Sequence, residues 1–495
     1  MARSTQLGLG ERAPAAPASR WLCGALRGEI LDGRLRPGDR LPATRGLARQ
    51  HGLSRGTVVA AFQQLESEGY VVGRRGSGTY VSEVLPDDLL QVSRRSRAVA
   101  PIRSRPRRRL SAFAQHVTPF PGFAERPTRA FRCDVPALDL FPIATWAQVA
   151  GRRVRAATLD LLLGCGPLGY RPLQRAVAEY LRTSRGVRCE AEQVTILSGA
   201  QEALDLVGRM FLDPRDRVCV ENPGYPGAAL LFRAFGARVV PVPLDAEGMR
   251  VPGGELRGAR LAYLTPAHQF PTGIGMTLRR RLAILEWARA NQTVIVEDDY
   301  DSEYRYAGRP MPALQGLDRH GLVLFAGSFS KVLFPSLRLG YLVVPPDLID
   351  RVAAIRSVTS RHASLVDQAV LCDFITDGHF GRHVRRMREI YAARSGVLLE
   401  AARSRLAGLL ELSSVEAGLQ TAGWLAPGID DEQAAAAAGQ RDVDVVPLSR
   451  YHQSRSRPAR NGLQLGFAAV DPPELRRGVD DLARALETIR PAAAP

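Results

Sequence analysis

Between about residues 160 and 345, short apolar runs alternate with helical stretches, and this alternation limits the possible folds more than any other feature of the chain. Parallel strands cannot be joined by tight turns; each needs a crossover, usually a helix. The runs at 194–197, 216–221, 260–264, 294–296 and 323–326 therefore predict an α/β domain with a largely parallel sheet. Such sheets bind ligands at the carboxyl ends of their strands, so the residues after each run carry the functional reading.

The first run ends in Ser198-Gly199-Ala200-Gln201, a glycine turn opening a helix, whose free backbone N–H groups attract an anion. The second leads to Tyr225, an aromatic that can stack on a flat ring or can simply be a turn residue. The fourth ends in Glu297, Asp298, Asp299, Tyr300 and Asp301. Buried acids need partners. A protonated pyridine nitrogen is one such partner, and Mg²⁺ is the rival. The fifth run delivers Ser328 and Lys331, with Arg338 seven residues later.

Lys331 is the only lysine; the other 66 of the 67 basic residues are arginines. Arginine replaces lysine in most charge roles but cannot form a Schiff base. A lone amine in a small, hydroxyl-rich turn points to an aldehyde cofactor with a phosphate, pyridoxal 5′-phosphate (PLP); a chance survivor in an arginine-rich chain is the bland alternative. In the first reading Gly199, Ala200 and Gln201 form the phosphate turn, with Ser328 and Arg338 as further phosphate contacts. Tyr225 is then the stacking ring, Tyr300 the phenol at the ring oxygen and Lys331 the aldimine lysine.

The first 90 residues read differently. Helical patterns from Trp21 to about Ile30, from Arg45 to Gln50 with Thr44 as cap, and from Arg55 to about Glu68 with Ser54 as cap are followed by two short strands. A basic turn, Gly73-Arg74-Arg75-Gly76-Ser77-Gly78, joins the strands. Three helices and a basic-tipped hairpin make a winged helix-turn-helix. Its recognition helix would present Ser54, Arg55, Gly56 and Thr57 to base edges, and Arg74 and Arg75 to a phosphate or the minor groove.

The net charge of +17 agrees with a polyanionic partner. Part of it lies between residues 84 and 126, where arginines crowd among Pro and Ser. This stretch predicts a flexible or partly extended tether that can add non-specific phosphate contacts. Six scattered cysteines without a C-x-x-C pair give neither a zinc site nor a disulfide framework. The absence of a membrane-length apolar run or a signal-type N-terminus predicts a cytoplasmic location with no membrane partner.

The N-terminal stretch resembles the GntR-type DNA-binding domain through Gly33-x-Leu35-x-Pro37-Gly38, Leu41-Pro42-Ala43-x-Arg45-x-Leu47-Ala48, Leu53-Ser54-Arg55-x-Thr57-Val58 and Gly76-Ser77-Gly78-Thr79-x-Val81. The resemblance adds Arg45 to the expected DNA contacts. The C-terminal region resembles fold-type I aminotransferases through residues 265–273, 297–306 and 328–341, and the two together resemble the MocR group of GntR regulators. By that resemblance Asp298 pairs with the pyridine nitrogen and Tyr300 with the ring hydroxyl, and Arg450 stands at the effector-carboxylate contact, with Arg455, Arg457 and Arg460 as rivals. The family's Asn-Pro-Thr-Gly is Phe270-Pro271-Thr272-Gly273 here. The lost Asn argues against efficient transamination, though His268 or Gln269 can compensate.

The expectation is a multidomain chain: residues 1–17 disordered, an α+β winged helix-turn-helix over 18–83, a basic linker over 84–126, and an aspartate aminotransferase-like domain over 127–495. The last comprises a large α/β subdomain at about 166–345 and a smaller α+β subdomain at about 346–495. Such a chain would be a homodimeric, PLP-binding regulator of a double-stranded operator that senses an amino compound or PLP itself. The alternative is an active aminotransferase with an accessory DNA-binding domain.

Overall fold

The computed structural model describes residues 9, 17–74, 76–85, 108–120, 127–306, 312–453 and 460–490. They fall into two compact units that divide between Arg108 and Arg109.

In the first unit, α1 (Ala18–Leu31), α2 (Thr44–Gln50) and α3 (Arg55–Ser67) enclose Leu22, Leu26, Leu47, Val58 and Leu65, all buried. Ser54 caps α3, its hydroxyl accepting from the Thr57 N–H at 3.1 Å. Thr44 does not cap α2: it is the first helical residue, and Ala43 precedes it with no side-chain cap. β1 (Val71–Arg74) and β2 (Gly78–Val81) pair antiparallel to form the hairpin. Gly76, at φ 75°, takes a left-handed turn conformation that a side chain would disfavour.

The second unit is built on an eight-stranded sheet: β3 (Val194–Leu197), β4 (Arg217–Asn222), β5 (Arg238–Asp245), β6 (Gly248–Met249), β7 (Leu261–Leu264), β8 (Val294–Asp299), β9 (Val323–Ser328) and β10 (Gly340–Val343). The order is β3-β10-β9-β8-β7-β4-β5-β6. β5, β4, β7, β8 and β9 are mutually parallel. β10 runs antiparallel to both neighbours, so β3 shares the direction of β9 and its terminal turn reaches the same edge. β5 escapes a sequence reading because Pro241 and Pro243 interrupt it; they are tolerated beside an edge covered only by two-residue β6.

A four-stranded antiparallel sheet, β11 (Leu410–Leu412), β12 (Gln420–Leu425), β13 (Val446–Pro447) and β14 (Gly462–Gly466), forms the smaller layer in the order β11-β12-β14-β13. Long helices His379–Arg405 and Pro472–Ile489 contribute to its core. Ala130 and Phe131 bridge to Val443 and Gly466, tying the start of this unit to the small sheet. Two helices, Ile349–Val358 and Leu365–Thr376, are separated by a turn in which Arg361 adopts φ 56°, and Ser364 caps the second.

The expectation of an unpacked tether does not hold for its last part. α4 (Ala112–His116) lies against the helix Pro226–Ala234, with Phe113 edge-on to Phe235 at 5.4 Å, and Phe120 approaches Tyr225 at 5.9 Å. Aromatic side chains among the arginines provide the apolar area that a purely charged tether lacks. The arginines at 94–107 lie outside the described residues. No described helix is long and apolar enough to cross a membrane.

Near the end of β8, Asp299 forms a 2.7 Å ion pair with Arg185 at the end of the helix Arg171–Arg185, with the two side chains 4% and 8% exposed. Arg185→Ala should leave that carboxylate buried without its cation and destabilise the unit by about 3–5 kcal/mol. Chemical denaturation followed by tryptophan fluorescence checks this; an unchanged midpoint would show that the pair is dispensable.

Candidate functional site

The parallel strands deliver their terminal residues to one edge of the sheet. Gly199, at φ 114°, precedes the helix Ala200–Phe211. A Cβ placed on Gly199 would lie 3.6 Å from both terminal nitrogens of Arg338, so the helix N-terminus and the guanidinium face each other. Ser328 ends β9, and its hydroxyl accepts from the Ser330 N–H at 3.2 Å. The Ser330 hydroxyl, to which the sequence reading gave no role, is buried without a partner. Backbone donors, hydroxyls and a guanidinium thus meet where an anion would be held.

The acids on and after β8 do not form one cluster. Alternation along a strand sends Asp298 to the face opposite Glu297 and Asp299. Glu297 accepts from the backbone N–H groups of Leu314 and Gln315, both at 2.8 Å. Asp299 pairs with Arg185, and Asp301 lies 3.0 Å from His268 Nδ1. Asp298 Oδ2 accepts from the Tyr263 hydroxyl at 2.7 Å, but Oδ1 is buried without a partner. Burial raises the Asp298 carboxyl to about 6 against the Tyr263 hydrogen bond, and Asp299 pushes it further the same way. Among the described residues no three His, Cys, Asp or Glu side chains are arranged to hold a metal. The orphaned Oδ1 instead fits a single N–H donor, as a pyridinium presents.

Tyr225 completes the same neighbourhood. Its hydroxyl donates to Gln201 Oε1 at 3.4 Å. Burial raises its pKa, Asp298 and Asp134 raise it further, and Arg338 opposes them, so its hydroxyl feels all three groups. The Tyr300 hydroxyl meets His268 Nδ1 at 3.0 Å. Gln269 is engaged elsewhere, donating to the Pro223 carbonyl at 2.9 Å and to Glu221 at 3.2 Å, which makes His268 the residue in contact with the phenol. Phe270 packs edge-on against Tyr225, Tyr300 and Tyr451 at 5.8, 5.9 and 5.0 Å. An apolar ring therefore occupies the place of a side-chain amide.

Lys331 Nζ donates to Asp134 twice, to the backbone carbonyl at 2.9 Å and to Oδ1 at 2.8 Å. Asp134 sits at φ 67°, and its N–H donates to Gln420 Oε1 at 2.9 Å. Neither Asp134 nor Gln420 carries a sequence signal, because they lie 197 residues before and 89 residues after Lys331. Arg450 is held by Glu432 in a two-point ion pair at 2.7 and 2.5 Å, and Arg460 by Glu411 at 2.7 Å. Arg455 and Arg457 lie outside the described residues.

In the winged unit, Arg45, Arg55 and Gly56 are exposed, and neither arginine has an ion-pair partner among the described residues. The Ser54 hydroxyl also meets Thr57 Oγ1 at 2.8 Å, so both side chains help shape the start of α3. Arg74 lies over the Tyr80 ring at 5.0 Å and 3.7 Å from Glu83; Gly76 is exposed at the hairpin tip, and Arg75 is outside the described residues. Arg40, not singled out from the sequence, bridges to Tyr80 and sets its guanidinium over Gly78.

The model for aminotransferase class I and II matches residues 139–482, and that for the gntR family of bacterial regulatory proteins matches residues 21–81. The chain is 40% identical to the probable rhizopine catabolism regulatory protein MocR of Rhizobium meliloti, over 98% of this chain and 97% of the relative. It is 33% identical to the HTH-type transcriptional regulator TauR of Rhodobacter capsulatus, over 92% and 94% of the two chains. A similar solved structure is the α-aminoadipate aminotransferase LysN of Thermus thermophilus, complexed with N-(5′-phosphopyridoxyl)-L-leucine. There the TM-score is 0.67 and the identity 29%, over 77% of this chain and 95% of that one. The aminotransferase family implies PLP dependence.

Burial also raises Glu221 and Glu297 to about 7, so with Asp298 three acids on the parallel strands keep protons at pH values where the unfolded chain would release them. A carboxyl raised in the folded state stabilises fully below its unfolded pKa, and that contribution is lost as pH rises through the folded value. The cofactor-free protein should therefore lose stability between about pH 4 and 7, and Asp298→Asn should remove about 2–3 kcal/mol of that dependence. Denaturation midpoints across this range check it; parallel profiles would place the dependence elsewhere.

Proposed function

We propose, for a chain that belongs to the MocR-type group of GntR-family transcriptional regulators, that its aminotransferase-like unit binds PLP and senses an amino compound or PLP itself, changing operator binding by its winged helix-turn-helix. The working form is a cytoplasmic homodimer on a double-stranded operator. The observation that carries the cofactor reading is the unpartnered Asp298 Oδ1, on the sheet edge that also presents Lys331.

When bound, PLP supplies an electrophilic carbon for amines and an electron-withdrawing ring. The backbone at Gly199 and Ala200, with Ser328 and Arg338, grips the phosphate, and Gln201 steadies Tyr225, whose ring stacks on the flat face of the cofactor. Asp298 holds a proton at the pyridine nitrogen, and Tyr300, tied to His268, donates at the ring oxygen. Lys331 presents the single side-chain amine, which Asp134 positions in the free protein. In the other unit, Arg55, Thr57 and Ser54 at the start of α3 address bases, while Arg45, Arg74, Arg75 and Gly76 address the backbone or minor groove.

Phe270 favours sensing over turnover. A transaminase must repeatedly adjust protonation at the ring oxygen and the amine, and Phe270 brings no donor to that oxygen. A sensor needs only reversible capture of an amine and a different preference of each ligand state for one dimer conformation.

Borohydride treatment of the PLP-loaded protein should leave a phosphopyridoxyl group on the Lys331 peptide, and Lys331→Ala should fold but lose the attached-cofactor absorbance; a variant that keeps the absorbance would overturn the site. A panel of amines should shift that absorbance and alter operator mobility at fixed salt, with negligible repeated transfer to a keto acid. Arg55→Ala should weaken operator binding by about 1–3 kcal/mol. Brisk turnover with no amine affecting DNA binding would make the chain an aminotransferase with an accessory DNA-binding domain.

A further inference from the structure

The face of the small sheet beside Lys331 is lined by neutral amides and one carboxylate. β12 and β14 pair so that Ala422 lies opposite Gln464 and Gln420 opposite Gly466. Paired residues share a face, as do residues two apart on one strand, so Gln420, Ala422 and Gln464 point the same way. Ala422 packs with Phe270 and Tyr451, against Tyr225 and Tyr300, which places this face over the aromatics of the cofactor site.

Both glutamines are oriented by their carbonyl oxygens. Gln420 Oε1 accepts from the Asp134 N–H at 2.9 Å, and Gln464 Oε1 accepts from the Tyr451 hydroxyl at 2.6 Å. Their amide nitrogens are buried with no partner, in residues 3% and 0% exposed. Buried N–H groups ordinarily find an acceptor; here none is supplied by the described chain, so an oxygen of a ligand is the fitting occupant.

The charge around them decides which oxygen. Asp134 brings a carboxylate to the same place, and Arg132, Arg450 and Arg460 are already engaged by Asp444, Glu432 and Glu411. A ligand carboxylate would sit beside the Asp134 carboxylate, a juxtaposition that disfavours binding. Hydroxyl oxygens accept from the two amides without that repulsion, and hydroxyl or ammonium hydrogens donate to Asp134.

We propose that the effector pocket takes a primary amine that carries hydroxyl groups and no carboxylate, an amino alcohol or amino sugar, recognised by Gln420, Gln464 and Asp134. This rests on the reading that the C-terminal unit senses an amino compound.

The test titrates full-length, PLP-loaded protein with serinol, glucosamine and serine, followed by cofactor absorbance and calorimetry. Serine is serinol with one hydroxymethyl group exchanged for a carboxylate, so the pair isolates that group. Serine should bind at least about tenfold more weakly than serinol. Asp134→Asn, at a partly exposed position that should tolerate it, should narrow the gap, and Gln464→Arg should reverse it. Serine binding as tightly as serinol, or an unchanged ratio in Asp134→Asn, would overturn the proposal. A response to serine alone would leave amine sensing standing and remove only this inference; no response to any of the three with PLP bound would remove both.

Discussion

Burial of the end of β8 is the constraint from which the site follows. Glu297, Asp298 and Asp299 occupy consecutive positions on a strand with sheet neighbours on both sides, where water cannot solvate a carboxylate. The fold compensates them separately: two backbone N–H groups for Glu297, the Arg185 guanidinium for Asp299, one phenol for Asp298. Glu297 is closed by the chain itself and Asp299 has its charge matched by Arg185, although its Oδ1 makes no hydrogen bond; Asp298 has neither a cation nor a partner for its Oδ1, on the other face of the strand. Strand alternation thus separates two structural acids from the one suited to a ligand.

Lys331 and Asp134 join the two layers of the C-terminal unit. Lys331 follows β9 of the large sheet, while Asp134 lies on the segment bridged to β14 of the small one. Gln420 ties the Asp134 backbone to β12 in turn. A ligand that displaces Lys331 from Asp134 therefore acts on a contact between layers, the kind of change that can bias a two-state equilibrium. Phe120, beside Tyr225, brings the end of the basic stretch to the same site.

The winged unit depends on simpler physics. Its core is a small apolar cluster, its recognition helix begins at a serine cap, and Arg45 and Arg55 face water. Arg45 and Arg55 have no acidic partner among the described residues, which leaves their charge available to a polyanion.

The sequence by itself determined the alternation of the strands that carry the site, though not β5, and the reactive residues. Apolar runs, glycine turns and caps are local signals, and each strand-end residue from Gly199 to Arg338 could be read because a parallel sheet gathers its ligand groups at one edge. A single lysine among arginines was legible for a different reason: it is a property of composition, not of geometry. Only the tertiary structure decided that Asp298 has no cation and keeps an unpartnered Oδ1, which of His268 and Gln269 meets Tyr300, and that Arg450 is occupied by Glu432. It alone brought Asp134 to Lys331, Gln420 to the Asp134 backbone, and Gln464 to the same sheet face as Gln420. Those groups meet across long separations in sequence, through strand register and a backbone turn at positive φ. Neither leaves a periodic pattern in the sequence, because both arise from packing between layers rather than from the preferences of any one segment.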